Sequence, residues 1–317
     1  MLATLKIAFK KINTRFMKLF MTNHRLLTIT AVTALIFIFS CQKDQSAHKS
    51  SSEDLVLEAG VSENIMQSTF DDVFENVTGI DGATAGEDLG IYGSVGFGIF
   101  SGQATGLATE QPATRCFTVS VTPRERGVFP KTVVIDFGTG CQVREHLRKG
   151  KIITIYTGPL HIPGNSAVTY FERYQVDSFK VEGKHTILNA TEPGSNQRSF
   201  KRTIDNARLT NINTNFWLSW SGITTMTQLE GNGSPFYPMD DVYQFTGGKR
   251  GGNANGKTWS STVIIPLIKA FSCRWISQGT VEIRVNETVG LLNFGNGACD
   301  NAATVTVNGV SREITLR

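Results

Sequence analysis

The sequence predicts an all-β protein. An antiparallel, meander-rich sheet or pair of sheets forms a sandwich or curled barrel-like body, with one N-terminal helix packed on it. Three observations carry this expectation. From residue 115 to the end, short runs rich in Val, Ile, Thr, Tyr and Phe recur between turn residues. The run Thr304-Val305-Thr306-Val307 alternates and leads into Asn308-Gly309, the strongest hairpin signal in the chain, because both turn positions favour φ > 0. No stretch beyond residue 115 has the apolar spacing of an amphipathic helix, whereas residues 62–78 do.

Taken in chain order, residues 1–40 read as a lipoprotein signal peptide. Residues 26–39 are an apolar run behind Arg25, of signal-core length and too short for a spanning helix. Ile38-Phe39-Ser40-Cys41 resembles a bacterial lipobox, with a branched residue at −3, a small one at −1 and the cysteine that takes lipid. Phe39 is bulkier than the usual −2 residue, and Met17 and Met21 offer alternative starts. Lipidation at Cys41 would anchor the chain, each buried methylene contributing roughly 0.8 kcal/mol. Gln42-Lys43-Asp44 resembles the surface-export signal of Bacteroidota lipoproteins, though Gln45 stands where a second acid is common. The expected location is therefore the outer membrane, with the chain either displayed at the cell surface or facing the periplasm. Residues 41–60 read as a flexible tether.

Charge follows the same division. The chain carries 31 bases and 27 acids, a net charge of +4, but six of those bases and none of the acids fall in residues 1–40. What remains has 25 bases and 27 acids, which disfavours a nucleic-acid partner. An apolar content of 40% is too high for a disordered chain.

Residues 61–112 are expected to hold the helix and a Gly-rich connection. Ile65, Met66, Phe70, Val73, Phe74 and Val77 form a stripe, Ser62 can cap the start, Val61 and Met66 have staple spacing, and Gly79 can end the helix. Such a stripe is a surface to bury. Residues 79–112 look like loop, with one short strand near 92–100.

The all-β domain is placed at 113–317. Its expected strands are 116–121, 132–137, 151–157, 167–174, 179–188, 216–220, 242–246, 258–268, 279–285, 289–294, 303–307 and 310–316. Within it two segments repeat. Cys116 leads to Asp136-Phe137-Gly138-Thr139-Gly140-Cys141, and Cys273 leads to Asn293-Phe294-Gly295-Asn296-Gly297-Ala298-Cys299. Each cysteine opens a strand and its counterpart closes a glycine turn. The repeat selects Cys116–Cys141 and Cys273–Cys299 from the three connectivities four cysteines allow. An exported chain matures where thiols oxidise. The rival reading, zinc, wants close Cys pairs that the sequence lacks.

The runs TVVIDFGTGC (132–141) and GKIITIYTG (150–158), FKVEGKHTILN (179–189), and the stretch from Cys273 through NFGNGAC (293–299) to the C-terminus resemble a family of Bacteroidota outer-membrane lipoproteins. The resemblance covers about residues 113–317 and both cysteine–glycine motifs. It implies a lipoprotein and carries no assigned activity and no catalytic residues.

Other motifs have plainer readings. Residues 251–258 match G-x-x-x-x-G-K-[ST], but β-rich sequence and Pro266 follow where a phosphate loop needs a helix, so a Gly/Asn hairpin is expected and no nucleotide. Asp136-Phe137-Gly138 spells the kinase metal triplet without the accompanying loops. His146 lies in a charged run, 144–149, that reads as solvated surface. Asp240-Asp241 is at most half a calcium site. No hydrolase signature occurs, although carboxylate pairs distant in sequence leave no motif. No metal and no cofactor are expected, and a transmembrane barrel is disfavoured by the anchor and the non-aromatic C-terminal end.

Around Trp217 the alternation puts Phe216, Leu218 and Trp220 inward and Trp217 with Ser219 and Ser221 outward. Trp217, Tyr237 and Tyr243 are the candidate ligand contacts. The expected function is a non-enzymatic surface binding or structural module, gripping a glycan or another envelope protein. The alternative is a hydrolase of envelope material or polysaccharide, with carboxylates assembled by the fold.

Overall fold

The computed structural model describes residues 51–78, 116–125, 127–143, 145–232 and 240–316. The lipobox with Cys41, the Gly79 stop, the strand expected near 92–100 and Tyr237 lie outside the described residues. Among the described residues one helix, α1 (Ser52–Thr78), precedes a single open sheet of 14 strands. Each strand is antiparallel to its neighbours.

The sheet runs in chain order. It begins with β1 (Thr118–Thr122), β2 (Lys131–Asp136), the short β3 (Cys141–Val143) and β4 (His146–Tyr156). Four long strands follow: β5 (Ser166–Val176), β6 (Phe179–Asn189), β7 (Ser199–Asn211) and β8 (Trp217–Glu230). Next come β9 (Val242–Asn253), β10 (Thr258–Ala270) and β11 (Gln278–Val285), and the sheet closes with β12 (Thr288–Asn296), β13 (Ala302–Val307) and β14 (Val310–Thr315). Only β3 leaves this order, pairing with β4 beside β2. Of the two bodies expected, a sandwich or a curled barrel-like sheet, the chain forms one open sheet with β1 and β14 at its edges.

Bulges between Lys149 and Lys151, Glu182 and Lys184, Ile204 and Ala207, and Gln278 and Thr280 bend it. The residues there, Gly150, Gly183, Asn206 and Gly279, take positive φ. The sheet curls around α1, whose Val56, Met66, Phe70 and Val73 are fully buried against it. Val56 also reaches the bottom of a close approach: a Cβ on Gly290 of β12 would lie 2.3 Å from Val56 Cγ1, so glycine there lets the helix settle on the sheet.

The helix is longer than the apolar stripe predicted. It starts at Ser52, so residues 52–60, expected as tether, are helical. Ser51 is the cap, its Oγ accepting the Asp54 amide at 3.2 Å, while Ser62 is buried inside the helix and Val61 is exposed, which removes the predicted cap and staple. The first turns are held by tertiary contact, with Val56 and Ala59 buried under β11 to β13.

Most strands fall where expected. Five regions differ. β3 and β7 are not among the expected strands, β4 begins at His146 instead of residue 151, and β8 and β9 continue to Glu230 and Asn253 instead of stopping at residues 220 and 246. The 251–258 motif is the tight β9–β10 hairpin, with Asn253 donating to the Lys257 carbonyl at 3.0 Å. Asn308 and Gly309 turn β13 into β14 with φ of 50° and 79°.

Both disulfides form as the repeat predicts, Cys116–Cys141 with Cα atoms 5.3 Å apart and Cys273–Cys299 with Cα atoms 5.8 Å apart. Each clamps the open end of a hairpin, β1–β2 or β11–β12. The shared Phe-Gly motif has one geometry in both copies. Asp136 Oδ1 accepts the Gly138 amide at 2.9 Å, and Asn293 Oδ1 accepts the Gly295 amide at 2.7 Å. Gly138 and Gly295 sit at φ of 57° and 91°, which a side chain would strain.

Candidate functional site

The helix carries seven carboxylates and no base. In water such a helix would turn its acids outward. Here the sheet supplies the countercharges from its inner face. Glu58 meets Lys257 at 2.7 Å, Glu63 meets Lys249 at 3.2 Å, and Asp71 meets Arg202 at 2.8 Å. Asp72 meets Arg148 at 2.6 Å, and Glu75 meets Lys269 at 2.9 Å. The Glu63 carboxylate also accepts the indole hydrogen of Trp220 at 3.0 Å.

Burial alone would push the Asp71 carboxyl up. The Arg202 and Lys269 charges, with hydrogen bonds from Gln67 and Arg202, outweigh it and hold Asp71 below its usual range. Lys269 is the mirror case: burial lowers it, and the Glu75 and Asp71 charges raise it further.

One flank of the helix is left open. A cleft of about 380 Å³ lies there, floored by helix residues 64–75. One wall is the β3–β4 turn and the start of β4, with Glu145, His146 and Arg148. The other is the 271–277 connection, with Phe271, Arg274 and Trp275. Glu145 and Arg274 form an ion pair from one wall to the other. His146 Nδ1 lies 2.8 Å from Asp177 Oδ2. Trp275 Nε1 is buried without a hydrogen-bond acceptor among the described residues. The cleft acids Asp71, Asp72, Glu75 and Glu145 each have a cationic partner. A glycosidase pair needs one carboxylic acid kept protonated; Asp71 is held ionised instead.

Of the ligand contacts expected from sequence, Trp217 and Tyr243 do not come together. Trp217 is half-buried on the outer face, with the Arg208 guanidinium 4.5 Å from its ring centroid. Leu218 and Trp220 are buried inward, as the alternation predicts. Tyr243 corrects the sequence reading: it is fully buried on the inner face, stacks on Phe271 at 5.0 Å and donates to Asp241 at 3.3 Å. It has no surface to offer a ligand. Tyr237 lies outside the described residues.

Asp241 is likewise buried and accepts from Gln228 at 2.7 Å; burial pushes its carboxyl up to about 6. That is the environment of a structural acid. Among the described residues no group of three or more His, Cys, Asp or Glu is placed to hold a metal. The 144–149 run, read as solvated surface, contains one fully buried member, Arg148. The cleft residues had one signal in the sequence: both walls adjoin the cysteine repeat.

No family model, curated protein or solved structure matches the chain.

Proposed function

We propose that this chain is a lipid-anchored, non-enzymatic binding module of the bacterial outer membrane, tethered through Cys41 and displayed at the cell surface. The observation that carries the binding reading is the cleft beside α1, where aromatic side chains stand among charges that are already paired. Such a lining presents shape and hydrogen-bonding groups, and its acids Asp71, Asp72, Glu75 and Glu145 are each engaged by a base, which favours binding over hydrolysis. The leader, the lipobox-like Ile38-Phe39-Ser40-Cys41 and the two disulfides support an extracytoplasmic setting. The partner is a glycan or another envelope protein.

Two measurements test this reading. Cys41→Ser should move the protein from the membrane pellet to the soluble fraction, and retention in the pellet would overturn the anchor. The mature chain from residue 42 should retain an oligosaccharide or an envelope protein from native membranes, without turning over the glycans it meets. Release of reducing ends would overturn the non-enzymatic reading.

A further inference from the structure

The two copies of the cysteine repeat converge on one opening. Cys141 begins β3, whose turn carries Glu145 and His146; Cys273 lies in the connection that carries Arg274 and Trp275. Each wall of the cleft is thus fastened to its own hairpin by a disulfide. Across the mouth the walls are joined by Glu145 and Arg274, whose side chains are 73% and 43% exposed. An ion pair so exposed to water is weak and opens readily.

Behind that bridge, the charges offer no surplus to an ionic ligand. Asp72 and Glu75 face Arg148 and Lys269 one to one, and their side chains keep 21% and 29% of their surface exposed. Paired carboxylates of this kind still accept hydrogen bonds from hydroxyl groups. Trp275 and Phe271 provide aromatic surface, and the Trp275 N–H, closed off from solvent and without an acceptor among the described residues, is a donor that a ligand oxygen meets once the indole turns toward the cleft. The volume, about 380 Å³, lies at the small end for ligand sites and suits a sugar unit, not a protein segment.

Building on the binding-module reading, we propose that this cleft takes an uncharged pyranose unit of a glycan. The sugar packs its C–H face against Trp275 and Phe271. As the indole turns to seat it, one of its oxygens accepts the Trp275 indole hydrogen, and its hydroxyls donate to Asp72 and Glu75. It enters as the Glu145–Arg274 bridge opens, so the bridge sets the rate of access.

The test is a titration of the mature chain from residue 42 with neutral cello-, malto-, manno- and xylo-oligosaccharides and with oligogalacturonate. It is followed by calorimetry and by the indole N–H resonances of ¹⁵N-labelled protein. The Trp275 resonance is assigned by its loss in Trp275→Phe. A neutral oligosaccharide should shift that resonance, and Trp275→Ala should weaken its binding at least tenfold while Trp217→Ala leaves it unchanged. Trp275→Phe keeps an aromatic ring and loses the donor with part of the surface, so it should fold and bind three- to tenfold more weakly. Glu145→Ala should raise the association and dissociation rates several-fold. Binding of oligogalacturonate alone overturns the neutral class. Neutral-sugar binding untouched by Trp275→Ala or Trp275→Phe overturns the site and leaves the binding module standing. An unmoved Trp275 resonance with every sugar overturns the proposal, while retention of an envelope protein would still support the wider reading.

Discussion

The Asp72 carboxylate of α1 and the Arg148 guanidinium of β4 meet through two parallel hydrogen bonds of 2.6 Å each. Arg148 donates a further one to Tyr174 at 2.7 Å and is otherwise sealed from water. Similar pairs recur along the helix, joining Glu63, Asp71 and Glu75 to Lys249, Arg202 and Lys269. Burying a charge pair is seldom a net gain, but stranding one partner is a large loss. Rotating or sliding α1 would strand several at once. The apolar stripe drives the helix onto the sheet, and the ion pairs fix where it sits.

Asp72→Asn tests that division. It keeps the shape and removes the charge opposite Arg148, so it should cost about 3–5 kcal/mol in urea unfolding. Replacing both partners, Asp72→Leu with Arg148→Met, should recover most of the loss. A single variant as stable as the parent would mean that water reaches Arg148.

Gly290→Ala adds one methyl group beneath the helix, where Val56 Cγ1 would be 2.3 Å away. Either the helix lifts or Val56 is displaced, and overpacking of this kind costs about 1–3 kcal/mol. Val56→Ala in the same chain should return part of that stability. A neutral Gly290→Ala would place the helix farther from β12.

Between pH 7 and 5 the response to acid should turn chiefly on His185 and Asp241, which oppose each other. His185 is fully buried with neither ring nitrogen hydrogen-bonded, and burial with the Arg202 charge lowers it to about 3. Below about pH 6.5 the unfolded chain takes a proton that the native state refuses, so stability falls as pH falls. His161, lowered by burial and by Arg198, acts in the same direction. Asp241 works the other way: raised to about 6 by burial, it binds its proton first in the native state, so stability rises as pH drops from 6 towards 4. Asp241→Asn should expose the His185 slope, a loss of about 2 kcal/mol between pH 6.5 and 5. His185→Leu should leave stability rising on acidification. Thermal melts across that range distinguish the two, and parallel profiles would contradict the assignment.

Much of the fold is legible in local pattern, because each β13-type alternation and Asn-Gly turn needs only its neighbours to be recognised. β7 was missed for a physical reason. Its inward set, Phe200, Arg202, Ile204, Ala207 and Leu209, includes a base and changes parity at the Asn206 bulge, so neither composition nor period two marks it. The first turns of α1 were missed because Glu58 and Val56 are ordered by Lys257 and β12, distant in sequence. The cleft was only half visible. The repeat marks its two disulfides, whereas Trp275 and Glu145 gain meaning once the sheet has curled and set their walls opposite each other.

Removing one disulfide should therefore loosen one wall at a time. Closing loops of 25 and 26 residues' separation, each bridge should contribute about 3–4 kcal/mol on the chain-entropy account. The two double variants should differ in where they loosen. Cys273→Ser with Cys299→Ser frees the 271–277 connection, so amide exchange should rise there and around Trp275 while β3 and the start of β4 stay protected. Cys116→Ser with Cys141→Ser should show the reverse, with faster exchange near Glu145 and His146. Peptide mapping of unreduced parent protein supplies the control, recovering Cys116 joined to Cys141; a Cys116–Cys273 peptide would overturn the pairing. Equal loosening of both walls by either double variant would mean that the Glu145–Arg274 bridge, exposed as it is, transmits order across the cleft. The walls would then be one mechanical unit, not two.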